Sequence, residues 1–274
     1  MPTDSELIGA LQNDSIEEVD LLFDRHRKET FDENSFHGVM PAAGEGSRMR
    51  EVTGGEPKEL LEVGGQPMIR NSLEPFLNYE DEVNLNVVVR PGKEDIIDYL
   101  GGIDEEGLNI SFSIIRNTQG MADSLTATEN IVNDSFGLIL PDSYFEKREF
   151  MDGLLGYHKS NSASATLGCT RKEDVYYGAL EVQNPENNAG NVLDIPADPE
   201  EANSDLIVAG TMILEPEIYE EIEKMMQRDE VRAGEYRLST ALNNLDEVHY
   251  HCIDCGQWYD VGTPERLEKA RKVE

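Results

Sequence analysis

Apolar positions along this chain change period in a regular way. Between residues 38 and 141, short runs that are apolar on both faces, such as Val87-Val88-Val89 and Leu138-Ile139-Leu140, alternate with stretches whose apolar residues recur every three to four positions. The first kind suits a buried strand and the second an amphipathic helix. Strands are predicted at 38–42, 83–90, 108–115 and 136–141, and helices at 66–79, 93–100 and 121–132. Strands that alternate with helices build a mainly parallel sheet covered on both faces, so the expected class is α/β. The second half alternates less cleanly. It predicts helices at 149–157, 216–226, 238–245 and 264–272. Strands fall at 163–170, 206–214 and 247–253, with strand-like pieces at 175–182, 192–195 and 257–261. No internal repeat is visible, and no hexapeptide repeats follow.

Residues 1–36 read as two short acidic helices. Thr3 with Glu6, and Asp14 with Glu17, have capping-box spacing, and Ile16, Val19, Leu22 and Phe23 then share a helical face. This extension would pack on the main domain or on a second subunit, which leaves a homo-oligomer open. The main domain is expected at 37–274, with a first part at about 37–145 and a second at about 146–274.

Composition changes the picture in one respect. Of 274 residues, 56 are Asp or Glu and 23 are Lys or Arg, giving a net charge of -33. Nucleic acids and anionic membranes carry the same sign, so neither is expected as a partner. So acidic a chain would be disordered if it lacked apolar runs, but they are present. An acid-rich surface over an ordinary core suits concentrated salt, where a Debye length of about 3 Å at 1 M screens self-repulsion. A halophilic protein is therefore expected, and unfolding at low salt with it. No run approaches the roughly 20 apolar residues of a membrane span, and no basic-then-apolar leader begins the chain. Three cysteines cannot all pair, which fits a reducing, cytoplasmic compartment.

The chemistry concentrates after the first predicted strand, in Ala42-Ala43-Gly44-Glu45-Gly46-Ser47-Arg48, with Pro57-Lys58 ten residues on. Glycines let backbone N–H groups close around phosphate oxygens, and Arg48 and Lys58 would add fixed positive charge. Met49 stands where the dinucleotide fingerprint needs a third glycine, and the Walker Gly-Lys-Ser/Thr is absent. An ordinary glycine-rich turn followed by a hairpin is the plain alternative. Ligands of such sheets sit beyond the carboxyl ends of the strands, where strand order reverses. Gly44–Lys58, 119–123 and Asp142 would converge there.

This stretch resembles the sugar nucleotidyltransferases, whose signature runs G-x-G-T/S-R-M/L, a gap, then P-K. Four further segments carry the same resemblance: Q-G-M-A-D-S-L from Gln119, L-I-L-P-D-S-Y from Leu138, Y-Y-G-A-L-E-V from Tyr176, and W-Y-D-V-G-T-P-E-R-L from Trp258. The resemblance implies a three-layer Rossmann-like fold with a mixed, mainly parallel sheet and a smaller sugar-binding lobe. It implies transfer of a nucleotidyl group from a nucleoside triphosphate to a sugar 1-phosphate, with Mg²⁺ as cofactor. UTP and glucose 1-phosphate are favoured, with dTTP next. Arg48 and Lys58 would be catalytic. Ala42, Ala43, Gly44, Glu45, Gly46, Ser47, Gly120, Met121 and Asp123 would bind the nucleotide. Tyr177, Gly178 and Asp194 would face the sugar, and Asp142 and Asp260 would hold the metal. An N-cap for a following helix is the competing role for Asp142. Thr263 would cap the last helix, with Pro264 at its first position.

Two departures from the family pattern stand out. Its E-K-P, which places a lysine on the sugar phosphate, is here Asp194-Ile195-Pro196. Its G-E-x-x-L-T-D is G-E-Y-R-L-S-T, which keeps Glu235 and has Thr240 in place of the acid. Arg171 or Lys172 would have to supply the missing cation. A non-catalytic sugar-nucleotide-binding homologue, and a cytidylyltransferase with a non-sugar acceptor, remain alternatives. His249, His251, Cys252 and Cys255 could be read as a zinc cluster, but alternation along a strand would send their side chains to opposite faces. His26, His37 and His158 have no partner pattern and are expected on the surface or in the core.

Overall fold

A computed structural model describes residues 35–172 and 178–272. The two predicted N-terminal helices, and Tyr176 and Tyr177 of the sugar segment, lie outside the described residues.

One nine-stranded sheet carries the domain, in the order β5-β4-β1-β6-β11-β8-β12-β10-β9. Its strands are β1 (Phe36–Pro41), β4 (Val83–Val89), β5 (Leu108–Ile114), β6 (Phe136–Ile139), β8 (Ala165–Arg171), β9 (Glu181–Val182), β10 (Ala189–Asp194), β11 (Leu206–Leu214) and β12 (Val248–Cys252). A hairpin, β2 (Glu62–Val63) with β3 (Gln66–Pro67), and a ribbon, β7 (Ser143–Phe145) with β13 (Trp258–Asp260), stand apart. β5, β4, β1 and β6 pair in parallel, and β11 runs antiparallel between β6 and β8. From β1 the order grows one way through β4 and β5, then jumps to β6 on the other side. The reversal therefore lies between the carboxyl ends of β1 and β6, where open α/β sheets bind ligands.

The helices are α1 (Arg50–Thr53), α2 (Met68–Leu77), α3 (Glu94–Gly101), α4 (Met121–Leu125), α5 (Met151–Asn161), α6 (Glu217–Gln227), α7 (Leu238–Leu242) and α8 (Pro264–Ala270). Side-chain alternation splits the core in two. Val39, Leu138 and Met212 face α4, α6 and α7 on one side of the sheet. Met40, Ile139 and Ile213 face α2, α3 and α5 on the other. Both faces of the central strands are covered, which is why they read as continuous apolar runs.

The structure departs from the sequence pattern in two places that matter. The helix predicted at 121–132 stops at Leu125 and tightens into a 3-10 turn at Thr126–Thr128. The Thr126 and Thr128 hydroxyls donate to the carbonyls of Asp123 and Leu125, drawing the backbone into the tighter turn. β7, which carried no strand signal, begins directly after Asp142, so the N-cap role for Asp142 does not apply. His158 is a satisfied core histidine. Its Nδ1 lies 3.0 Å from Thr166 Oγ1 and its Nε2 2.9 Å from Glu215 Oε1.

Candidate active site

The first wall of the site is the segment leaving β1. Ala42 and Ala43 are fully buried, and Ala42 N–H donates to Val88 O on β4, so the strand holds its line to its end. The chain then emerges at Gly44 and Glu45. Gly46 turns it back at φ +63, a conformation L side chains rarely adopt, and Met49 N–H closes the turn on Gly46 O at 2.9 Å. Met49 anchors the turn in a small apolar cluster with Val63, Met68, Val261 and Leu267, while Ser47 and Arg48 stay exposed. A Cβ on Gly46 would stand 3.7 Å from Lys58 Cγ, so the lysine stem lies along the bare backbone of the loop.

The second wall comes from β6. Leu140 N–H donates to Gly210 O, and Ser143 N–H to Leu140 O, which makes Leu140–Ser143 a tight turn with Pro141 and Asp142 at its centre. Ser72 of α2 pins this turn, exchanging hydrogen bonds with the Ser143 backbone. β11 makes room for it by a bulge between Val208 and Thr211, where Gly210 sits at φ +67 and a Cβ would strike Ser143 Oγ.

Lys58 and Asp142 meet across these walls as a hydrogen-bonded ion pair. Burial alone would lower the Lys58 pKa, but the charge of Asp142, with Glu59 and Asp260 adding, holds it above the ordinary lysine value. Burial alone would raise Asp142, but the charge and hydrogen bond of Lys58, and the charge of Arg48, hold its carboxyl below the ordinary range. Asp260 arrives on β13. The ribbon sets Asp260 opposite Ser143, and Val261 N–H donates to Asp142 O at 2.9 Å. Asp260 is ion-paired to Arg266 of α8, whose first turn is capped by Thr263 with Pro264 at its start. Arg48, Lys58, Asp142 and Asp260 therefore share one field.

Gly120 belongs to a separately stitched segment. Its φ is +125, and a Cβ there would lie 2.6 Å from Tyr236 O. Tyr236 N–H donates to Gln119 O and Ala122 N–H to Tyr236 O, so this segment is stitched to the one before α7. Asp123 accepts from Gln119 N–H at 2.7 Å and closes its own turn, while Met121 packs on the core. Of the sugar-side residues, Gly178 takes φ +66 and its carbonyl accepts from Val208 N–H beside the bulge. Asp194 ends β10 and accepts a hydrogen bond from Asn243 Nδ2. Ile195, where the family pattern has its lysine, is 3 % exposed and belongs to the core. Arg171 is committed elsewhere, to Asp205 and the carbonyls of Pro185 and Asn187. Lys172 is not: its ammonium donates to Trp258 O and lies 4.7 Å from the Trp258 ring centre and 5.3 Å from that of Tyr259, within the field of Asp260.

Sequence reasoning missed Lys93 and Glu59. Lys93 Nζ, 2.8 Å from Glu59 Oε1 and 2.8 Å from Ala42 O, forms a buried pair beneath the loop, with the two residues 7 % and 1 % exposed. Burial pulls Lys93 below the ordinary lysine value against the raising effect of Glu59. Lys93, Lys58, Gly46, Arg90 and Glu45 line a cleft of about 230 Å³.

Among the described residues no three His, Cys, Asp or Glu side chains converge to hold a metal. The zinc reading fails for that reason. His249 and His251 both lie against Tyr157 of α5, while Cys252 packs on the core of the opposite face. Asp142 and Asp260 remain as a pair of hard carboxylate donors. Mg²⁺ takes one or two carboxylates and fills its octahedron with water and phosphate oxygens, so this donor set fits that ion with a phosphate ligand present.

Comparison with known proteins identifies the family and the fold. A family model described as Nucleotidyl transferase matches residues 37–273. UTP–glucose-1-phosphate uridylyltransferase AglF of Haloferax volcanii is 27 % identical over 246 residues, covering 85 % of this chain and 94 % of that protein. The low-salt glycan biosynthesis nucleotidyltransferase Agl11 of the same organism is 26 % identical, covering 86 % of this chain and 65 % of its own length. A crystal structure of UDP-glucose pyrophosphorylase complexed with UDP-glucose shares the fold, with a TM-score of 0.74 at 21 % identity, over 87 % of this chain and 97 % of the other. With the family model spanning nearly the whole described domain, this chain belongs to the nucleotidyl transferase family and is a nucleotidyltransferase.

Proposed function

We propose that the protein transfers a nucleotidyl group from a nucleoside triphosphate, UTP before dTTP, to a sugar 1-phosphate, glucose 1-phosphate first, with Mg²⁺ and in the cytoplasm of a halophile. The observation that carries this reading is the meeting of Lys58 and Asp142 under the Gly46 turn, with Asp260 delivered beside them by the β7–β13 ribbon. Relatives named for UTP and glucose 1-phosphate support the substrate choice. A methyl group separates the two bases, worth only about 1–3 kcal/mol, so UTP is a preference to be measured.

In the reaction an oxygen of the sugar phosphate attacks the α-phosphorus, a P–O bond forms, and the bond to the β-phosphate breaks as pyrophosphate leaves. The nucleophile is already an anion, so no general base is required, and catalysis rests on positioning and charge. Lys58 draws the two reacting phosphates together. Arg48 and the N–H groups of the glycine turn neutralise the leaving pyrophosphate. Asp142 and Asp260 would hold Mg²⁺, which when bound supplies charge at the α-phosphate. Lys172 takes the part left empty by Ile195: it lies in the field of Asp260, and its described contacts are a carbonyl and two aromatic rings.

A pyrophosphate-release assay in molar salt, over a grid of nucleoside triphosphates and sugar phosphates, tests the reading. Turnover that peaks with UTP and glucose 1-phosphate and stops on chelation is expected. No release with any pair would favour the non-catalytic reading, which the burial of Ile195 supports.

A further inference from the structure

The β1 loop leaves the sheet at Ala42 and returns at Lys58-Glu59. A segment of that length, with Gly44, Gly46, Gly54 and Gly55 in it, has many conformations open to it. Something must fix its ends if Lys58 is to lie on Gly46 and reach Asp142. Packing does part of this through Met49. A further part falls to one buried ammonium. Lys93 stands at the start of α3, and its Nζ donates both to Ala42 O, at the loop's departure, and to Glu59 Oε1, one residue past Lys58. Glu59 lies inside the 3-10 turn Lys58–Leu60, closed by Leu60 N–H on Pro57 O and Leu61 N–H on Lys58 O, so fixing Glu59 fixes the Lys58 backbone. Its other oxygen, Oε2, is buried with no hydrogen-bond partner among the described residues, so the carboxylate leans on Lys93.

We propose that Lys93 is a positioning residue for Lys58. It clasps both ends of the loop through Ala42 O and the Glu59 carboxylate, so that Lys58 is held on Asp142 before substrate arrives. The inference rests on the nucleotidyl-transfer reading for its catalytic consequence only; the orientation of Lys58 can be read without turnover.

Lys93→Met alone leaves Glu59 charged and buried, and could fail simply by unfolding the domain. The test therefore uses the paired variant Lys93→Met/Glu59→Gln, which removes both charges and keeps the volume. Trace acylation of amines at fixed pH, read residue by residue by mass spectrometry, should show Lys58 reacting several-fold faster in the variant, with Lys147, Lys224 and Lys269 unchanged as controls. Unchanged labelling of Lys58 in a folded variant overturns the proposal. For turnover, kcat should fall roughly tenfold to a hundredfold with both KM values within about threefold, the pattern of a misplaced group that acts in the transition state. Added to Lys58→Met, the same pair should cost nothing further, since Lys93 would act only through Lys58; a further tenfold loss in that background also overturns it. A wild-type protein silent in every substrate pair would sink the function while the labelling still decides the clasp.

Discussion

The two halves of the sheet differ in how they treat charge. From β1 to β7, three cations at the candidate site are matched to an acid: Lys58 to Asp142, Lys93 to Glu59, Arg90 to Glu45. From β8 onward the match loosens. Lys172 rests on a carbonyl and two aromatic faces, Ile195 replaces a cation with core, and β11 carries a bulge. On the proposed function the first half would handle the triphosphate and the second the acceptor, and the departures from the family pattern fall in the second. The donor side would then be preset, and the acceptor side the place where specificity can drift.

That contrast can be broken most directly at Lys58. Lys58→Ala, and likewise Arg48→Ala and Asp142→Asn, should lower kcat by roughly 10²–10³ with the fold kept, the scale of losing one preorganised charge at a reacting centre. Steady-state pyrophosphate release measures it, and wild-type turnover would remove the residue from the mechanism. On the acceptor side, Lys172→Met should raise the KM for the sugar phosphate by roughly tenfold to a hundredfold, as expected for a charged hydrogen bond of about 1.5–3 kcal/mol, and leave that for the nucleotide alone. Arg171→Met, whose guanidinium is spent on Asp205 and two carbonyls, should not move the acceptor KM.

The seam between the halves is tested at Gly120. An alanine there would adopt φ +125 and press its Cβ to 2.6 Å from Tyr236 O, so Gly120→Ala should destabilise by about 1–3 kcal/mol in a melting experiment in high salt. An unchanged melting temperature would mean the stitch between 119–122 and Tyr236 is loose. The smallest effect concerns acid. Asp142 is held below its ordinary value of 3.8, so it stabilises the native state above that pH and loses the contribution as pH falls through its lower, folded value. Lys58→Met removes the cause and should move the acid unfolding midpoint upward in a circular-dichroism titration.

Much of this was legible in the residues, and the reasons are local. β1, β4 and β6 were readable because a strand buried on both faces shows as a continuous apolar run, and β5, at the sheet edge, because its apolar and polar residues alternate. Lys58 and Arg48 were readable because they stand beside the Gly44–Gly46 loop in the spacing of the family signature. What stayed hidden depends on distance along the chain. Nothing near Glu59 says that its carboxylate turns inward, because its partner Lys93 lies on another element. β7 is three residues long and takes its identity from pairing with β13, which no window around Asp142 contains. Helix α4 ended early because threonine hydroxyls captured carbonyls, an outcome that an apolar period cannot register.

The β7–β13 ribbon has a consequence for truncated chains. Along the chain the large sheet is complete at Cys252, and the loop, Lys58 and Asp142 all precede Asp260. A polypeptide ending there would hold the proposed triphosphate cradle with half of the proposed acidic pair. If Asp142 and Asp260 share the metal as proposed, chemical competence is delivered by this three-residue strand, and a chain clipped ahead of it should release no pyrophosphate.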